Sequence, residues 1–146
     1  MLGRLATWLR VMGMDVRYVR DIDDDLLIDL ALSEARIILT RDRGLINRKK
    51  LRGKVFFVHD DHLDAQLIEV TRRFKPDRAL FFSRCLRCNL PLDSAAGESI
   101  RDRVPPYVLS SQHNFATCRG CARVYWPGTH SDNMRKKIER LLHGGE

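Results

Sequence analysis

The sequence predicts an α/β fold, a parallel sheet flanked by helices, with a small zinc-ribbon module at its C-terminal end. Three observations predict it. Short apolar runs alternate with helical periodicity as far as Phe82. Beyond Ser83 that periodicity fades, and Pro91, Gly97, Pro105, Pro106, Gly120, Pro127 and Gly128 accumulate. All four cysteines fall in this second part, as two C-x2-C pairs. Strands separated by helices imply a parallel sheet with helices on its faces. The chain is therefore read as an α/β domain over 1–80 and a ribbon with a C-terminal helix over 81–146.

The elements follow in order. Leu2, Leu5, Ala6, Leu9 and Met12 recur at helical spacing, and Gly13 is placed to end that helix. "DVRYV" (15–19) alternates with period two and reads as a first strand. Asp23 or Asp24 can cap the helix "DDLLIDLALSEA", and the strand at 36–40 follows. "LINRKK" is a short helical or turn segment, "KVFFV" (54–58) a further strand, and 61–74 a helix with Leu63, Leu67, Ile68 and Val70 inward. In the second part only "DNMRKKIERLL" regains a helical pattern.

Composition bounds the function. At 146 residues and 44% hydrophobic, the chain can bury a core and is not of the disordered class. The net charge of +7 favours an acidic partner such as nucleic acid. No apolar run is long enough to span a membrane, and "MLGRLATWLRVMG" has arginines but no small-residue cleavage site, so a cytoplasmic protein is expected.

Cys85-x2-Cys88 and Cys118-x2-Cys121 carry the sharpest chemical signal. Each C-x2-C lets one turn present two thiolates to a tetrahedral ion, so the two pairs together read as a structural zinc site. With four cysteine ligands no position stays open for a substrate, and the metal holds a fold. Redox dithiols come as a single pair beside a helix start, and disulfides suit an oxidising compartment.

The carboxylates form a second pattern. Loops after the strands of a parallel sheet share one edge, where ligands bind. Asp21, Asp23, Asp24 and Asp25 follow the run at 15–19, Asp42 follows 36–40, and Asp60 and Asp61 follow 54–58. Clustered oxygens suit Mg²⁺ or Mn²⁺. Each group taken alone is also an ordinary helix cap. Arg41 and Arg43 flank Asp42 either as phosphate contacts or as solvated charge.

The strings "MLGRLATWLRVMGMDV", "DDDLLIDLA", "IILTRDRGL", "SRCLRCN", "RDRVPPYV" and "C-x2-C-ARVYWPGTH" together resemble the Mut-seven C-terminal RNase family, in the same order and over nearly the whole chain. The resemblance implies a PIN-like nuclease domain followed by a zinc ribbon, and a metal-dependent ribonuclease activity. By position it implies Asp24, Asp42 and Asp60 as catalytic ligands of Mg²⁺ or Mn²⁺, with Asp61 or Asp25 as alternates to Asp60 and Asp24. It also implies a strand ahead of the first helix, ending in a further aspartate; here Met1 leads directly into the helix. Arg41, Arg43, Arg48 and Lys49 are the expected RNA phosphate contacts, joined by Arg84, Arg87, Arg119 and Arg123 of the ribbon. Tyr125 and Trp126 are either ribbon core or base-stacking rings. The competing expectation is an RNA- or ribosome-binding module on a decayed nuclease scaffold.

Overall fold

A computed structural model describes residues 2–144. The first helix, α1 (Gly3–Val11), buries Leu5, Leu9 and Val11 almost completely. It stops at Gly13, whose φ of +78° suits a glycine. The Gly13 N–H donates to the Arg10 carbonyl and the Met14 N–H to that of Leu9, the paired bonds of a Schellman end. A second constraint falls on the same residue: an added Cβ would lie 2.2 Å from the Leu80 carbonyl oxygen.

Next come α2 (Asp24–Ser33), β1 (Ile38–Thr40), α3 (Arg43–Ile46), a 3-10 turn (Lys49–Leu51), β2 (Val55–Phe57) and α4 (Leu63–Arg73). β1 and β2 run parallel, with Ile38 opposite Val55 and Leu39 opposite Phe56. This alternation splits the interior into two cores. Ile38 and Val55 face Ile28 and Ala31 of α2, Leu45 of α3 and Leu51. Leu39, Phe56 and Val58 face α1, α4 and Phe81. Helices therefore cover both sides of the small sheet, as a parallel pair requires.

The run at 15–19 is not a strand. Among the described residues β1 and β2 pair only with each other, so the period-two pattern at 15–19 meets no neighbour. Side chains take the place of a ladder: Arg10 Nε donates to the Val16 carbonyl (2.9 Å), and the Val16 N–H donates to Asn89 Oδ1 (2.9 Å).

The second part contains a three-stranded antiparallel sheet in the order β3 (Asp93–Ala95), β4 (Phe115–Thr117), β5 (Val124–Tyr125). A 3-10 helix (Gly97–Arg103) and α5 (Pro106–Ser111) lie between β3 and β4, and Ile100, Val104, Val108 and Phe115 form a small core there. Trp126 packs edge-on against Phe115 at 6.5 Å. The last helix, α6 (Thr129–Gly144), turns back to the α/β core. Its buried Ile138 joins the cluster of Leu5, Leu9, Leu67 and Val70, with Met134, Leu141 and Leu142 against the same cluster. Lys137 pairs with Asp64 and lies over the Trp8 ring, and Arg78 pairs with Glu139.

Candidate metal centre and acidic edge

The four cysteines come together: one sulfur from each lies within 4.8 Å of the others. Cys85 and Cys121 Sγ are 3.7 Å apart, near the edge of about 3.8 Å that four sulfurs at about 2.3 Å from a tetrahedral ion would share. That separation is far beyond a disulfide, and all four thiols are free.

Two matching turns build the cluster. The Asn89 N–H donates to the Cys85 carbonyl (2.9 Å), and the Ala122 N–H donates to that of Cys118 (2.8 Å). Asn89 and Ala122 both have left-handed backbones, with φ of +66° and +61°. Backbone N–H groups point at sulfur in each turn, Cys88 N to Cys85 Sγ at 3.4 Å and Gly120 N to Cys118 Sγ at 3.3 Å. Gly120 lets the chain cross closely, because a Cβ there would lie 2.8 Å from Leu90 and 3.4 Å from Cys88 Sγ.

The electrostatics favour a cation. Burial pushes the Cys85 thiol up, but the Tyr125 hydroxyl and the nearby backbone N–H groups outweigh it and bring it down to about 6. Burial and the neighbouring thiols push Cys88 up to about 12. Four close thiols cannot all ionise against one another, whereas a divalent ion stabilises every thiolate. The donor set fits a metal such as zinc.

Tyr125 is neither simple core nor an exposed ring. Its hydroxyl lies 3.2 Å from Cys85 Sγ and accepts the Leu86 N–H at 3.1 Å. Nothing in "RVYWPG" announced this contact. A strongly exposed ring of the ribbon is Tyr107 on α5, at 73%. Two of the expected RNA-gripping arginines have protein partners: Arg119 pairs with Asp93, and Arg84 donates to the Gly13 and Asn89 carbonyls.

A joint links this centre to α1. Arg10, only 7% exposed, donates through Nη1 to the carbonyls of Leu86 (2.8 Å) and Arg87 (3.3 Å), while its Nε holds Val16. Asn89 adds a bond from Nδ2 to Asp15 Oδ1 at 2.6 Å.

On the acidic edge, Asp42 is the N-cap of α3. Its Oδ1 accepts the Gly44 N–H (2.8 Å), and its own N–H donates to Thr40 Oγ1 (2.9 Å). Arg41 reaches across to the loop after β2 and donates to the carbonyls of Val58 (3.2 Å), His59 (2.8 Å) and Asp60. The loops after β1 and β2 are thereby tied together. Asp60 accepts the His62 N–H (2.8 Å), and that bond comes first among those that hold its carboxyl below the usual carboxylate value. Asp60, Asp61 and His62 bring their ligand atoms within 4.8 Å of one another. Neither Asp24 nor Asp42 belongs to that group. Asp24 is an exposed residue in the first turn of α2, and Asp23, at the cap position, makes no side-chain cap. His62 was not singled out from the sequence, although its place directly after two aspartates was a visible signal.

Arg43 lies over the Phe57 ring, 5.6 Å from its centre. Arg48 and Lys49 line a cleft of about 470 Å³ with Lys50, Asp25, Ile28 and Asp29. Among the described residues no helix is long and apolar enough to cross a membrane.

The family model described as Mut7-C RNAse domain matches residues 1–138, a span that takes in both the acidic edge and the cysteine centre. No curated protein and no solved structure matches the chain.

Proposed function

The chain belongs to the Mut7-C RNase domain family, and from that membership we propose that it is a metal-dependent ribonuclease that hydrolyses RNA phosphodiester bonds at the edge formed by the loops after β1 and β2. The observation that carries the reading is the extent of the match, which covers the α/β core and the cysteine centre together. In this reading Zn²⁺ sits on Cys85, Cys88, Cys118 and Cys121 and has a structural role. Mg²⁺ or Mn²⁺ is held by Asp24, Asp42 and Asp60, with Asp61 and His62 beside Asp60. Carboxylate oxygens in this number suit a hard divalent cation, and the close group on the β2 loop fits one. A bound cation there supplies activation of water and neutralisation of phosphate charge.

The chain's own residues have separable tasks. Arg41 fixes the two acidic loops relative to one another through the Val58, His59 and Asp60 carbonyls. Asp42 uses Oδ1 for its cap and keeps Oδ2 for the site. Arg43, Arg48 and Lys49 supply positive charge toward the RNA backbone.

A second reading, an RNA- or ribosome-binding module that cuts nothing, is favoured by one observation. Among the described residues, neither Asp24 nor Asp42 belongs to the close group around Asp60. The deciding experiment measures cleavage of single-stranded and hairpin RNA with Mn²⁺ by the zinc-loaded, folded chain and by Asp42→Asn and Asp60→Asn. The enzyme reading expects cleavage by the parent and only background from both variants. Tight RNA binding without cleavage by the parent would replace it with the binding module.

A further inference from the structure

The cleft between α2 and the 3-10 turn Lys49–Leu51 gathers five charged side chains. Asp25 and Asp29 stand one helical turn apart on α2, and Arg48, Lys49 and Lys50 complete the lining with Ile28. Among the described residues none of the five charged side chains is in an ion pair or a side-chain hydrogen bond. Their positions follow from the second core: Ile28 and Leu51 are buried there, which holds α2 and the 3-10 turn at a set spacing.

The mixture of charges selects the ligand. A purely anionic ligand would meet the two carboxylates, and a cationic one would meet three basic groups. A ligand that satisfies both joins an anionic group to hydrogen-bond donors. A ribonucleotide has this character, because its phosphate suits Arg and Lys while its ribose hydroxyls donate to carboxylates. The cleft is open to solvent, and its volume of about 470 Å³ leaves room for one such unit.

We propose that this cleft binds one ribonucleotide unit of single-stranded RNA, with its phosphate against Arg48, Lys49 and Lys50 and its ribose hydroxyls against Asp25 and Asp29. It would thus be a sugar-reading subsite beside the acidic edge. The choice of an RNA unit rests on the ribonuclease reading, but the test uses free nucleotides and no cleavage. Failure here therefore leaves the cleavage result untouched, and loss of cleavage leaves this binding untouched.

The test is an amide-shift titration of the zinc-loaded full chain with adenosine 5′-monophosphate, its 2′-deoxy form, adenosine and inorganic phosphate. The ribonucleotide is expected to shift residues around 25–29 and 48–50 and to bind about tenfold more tightly than the deoxy form, as one charge-assisted bond allows. Adenosine should bind more weakly than the nucleotide. Asp25→Ala/Asp29→Ala should abolish the ribose preference while leaving the phosphate wall in place, and Lys49→Ala should weaken both nucleotides. All three positions are exposed, so the variants should keep the parent's melting temperature. Equal affinity for the two nucleotides, phosphate alone binding as tightly as the nucleotide, or shifts confined to other regions would overturn the proposal.

Discussion

The α/β core and the cysteine module are built on different terms. The first buries Leu5, Leu9, Val11, Leu51, Val58, Leu67, Val70 and Ile138 to 1% exposure or less. Each such side chain contributes about 1.5–3 kcal/mol. The second has four buried apolar anchors, Ile100, Val104, Val108 and Phe115, beside short strands and long loops. What it lacks in apolar burial it makes up with four thiols that converge from two turns. One region gathers its stability from many small increments, whereas a metal on those thiols would concentrate the other's at a point.

The hardest blow to this contrast is metal removal. A structural zinc centre supplies about 10–16 kcal/mol of binding energy in small modules. Chelation, or Cys118→Ser, should therefore abolish amide protection in β3–β5 and release the Trp126 environment, while α1 and α4 stay protected. Hydrogen exchange reads both at once. If α1 and α4 open together with the ribbon, the two regions are one cooperative unit and the contrast falls.

A smaller effect is expected where the regions meet. Arg10→Met deprives the Val16, Leu86 and Arg87 carbonyls of their donor, at a cost of about 2–3 kcal/mol. Urea unfolding should show that loss, with faster exchange near 13–16 and 86–89 and little change in α4.

The least effect concerns pH. Burial pushes Asp15 up, but the hydrogen bonds from Arg36 and Asn89 and the charges of Arg36 and Arg84 outweigh it, so its carboxyl lies below the ordinary 3.8. A depressed carboxylate contributes stability that is complete above its unfolded value and fades as pH falls through the folded one. The stability gap between the parent and Asp15→Asn should therefore be constant above about pH 5 and shrink below 3.8. A gap that persists in acid would mean that the Asp15 charge adds nothing beside Arg36 and Arg84.

Legibility divides along the same line. The cysteine centre could be read because its ligands come as local pairs whose spacing already states the geometry. Helices α1 and α4 could be read because one periodic face has to be buried. The run at 15–19 could not, since alternation says that a strand is possible but never names its partner. Here the backbone is taken by Arg10 and by Asn89, far along the chain. The acidic edge was legible only in part: Asp42 falls at its strand end as expected, yet which oxygens converge depends on loop paths. Those paths leave Asp24 and Asp42 out of the group that Asp60 forms with Asp61 and His62. Tyr125 was opaque for a similar reason, because a ring in a ribbon strand looks the same whether or not its hydroxyl reaches a sulfur.

The return of α6 to the first core has a consequence for biosynthesis. Ile138 fills a place among Leu5, Leu9 and Leu67, so α1 leaves the ribosome long before the helix that completes its core. The cysteine module emerges between them, while that core is still open. A message cut short after Trp126 would yield the cysteine module on an unfinished core, with an apolar socket exposed to chaperones and proteases.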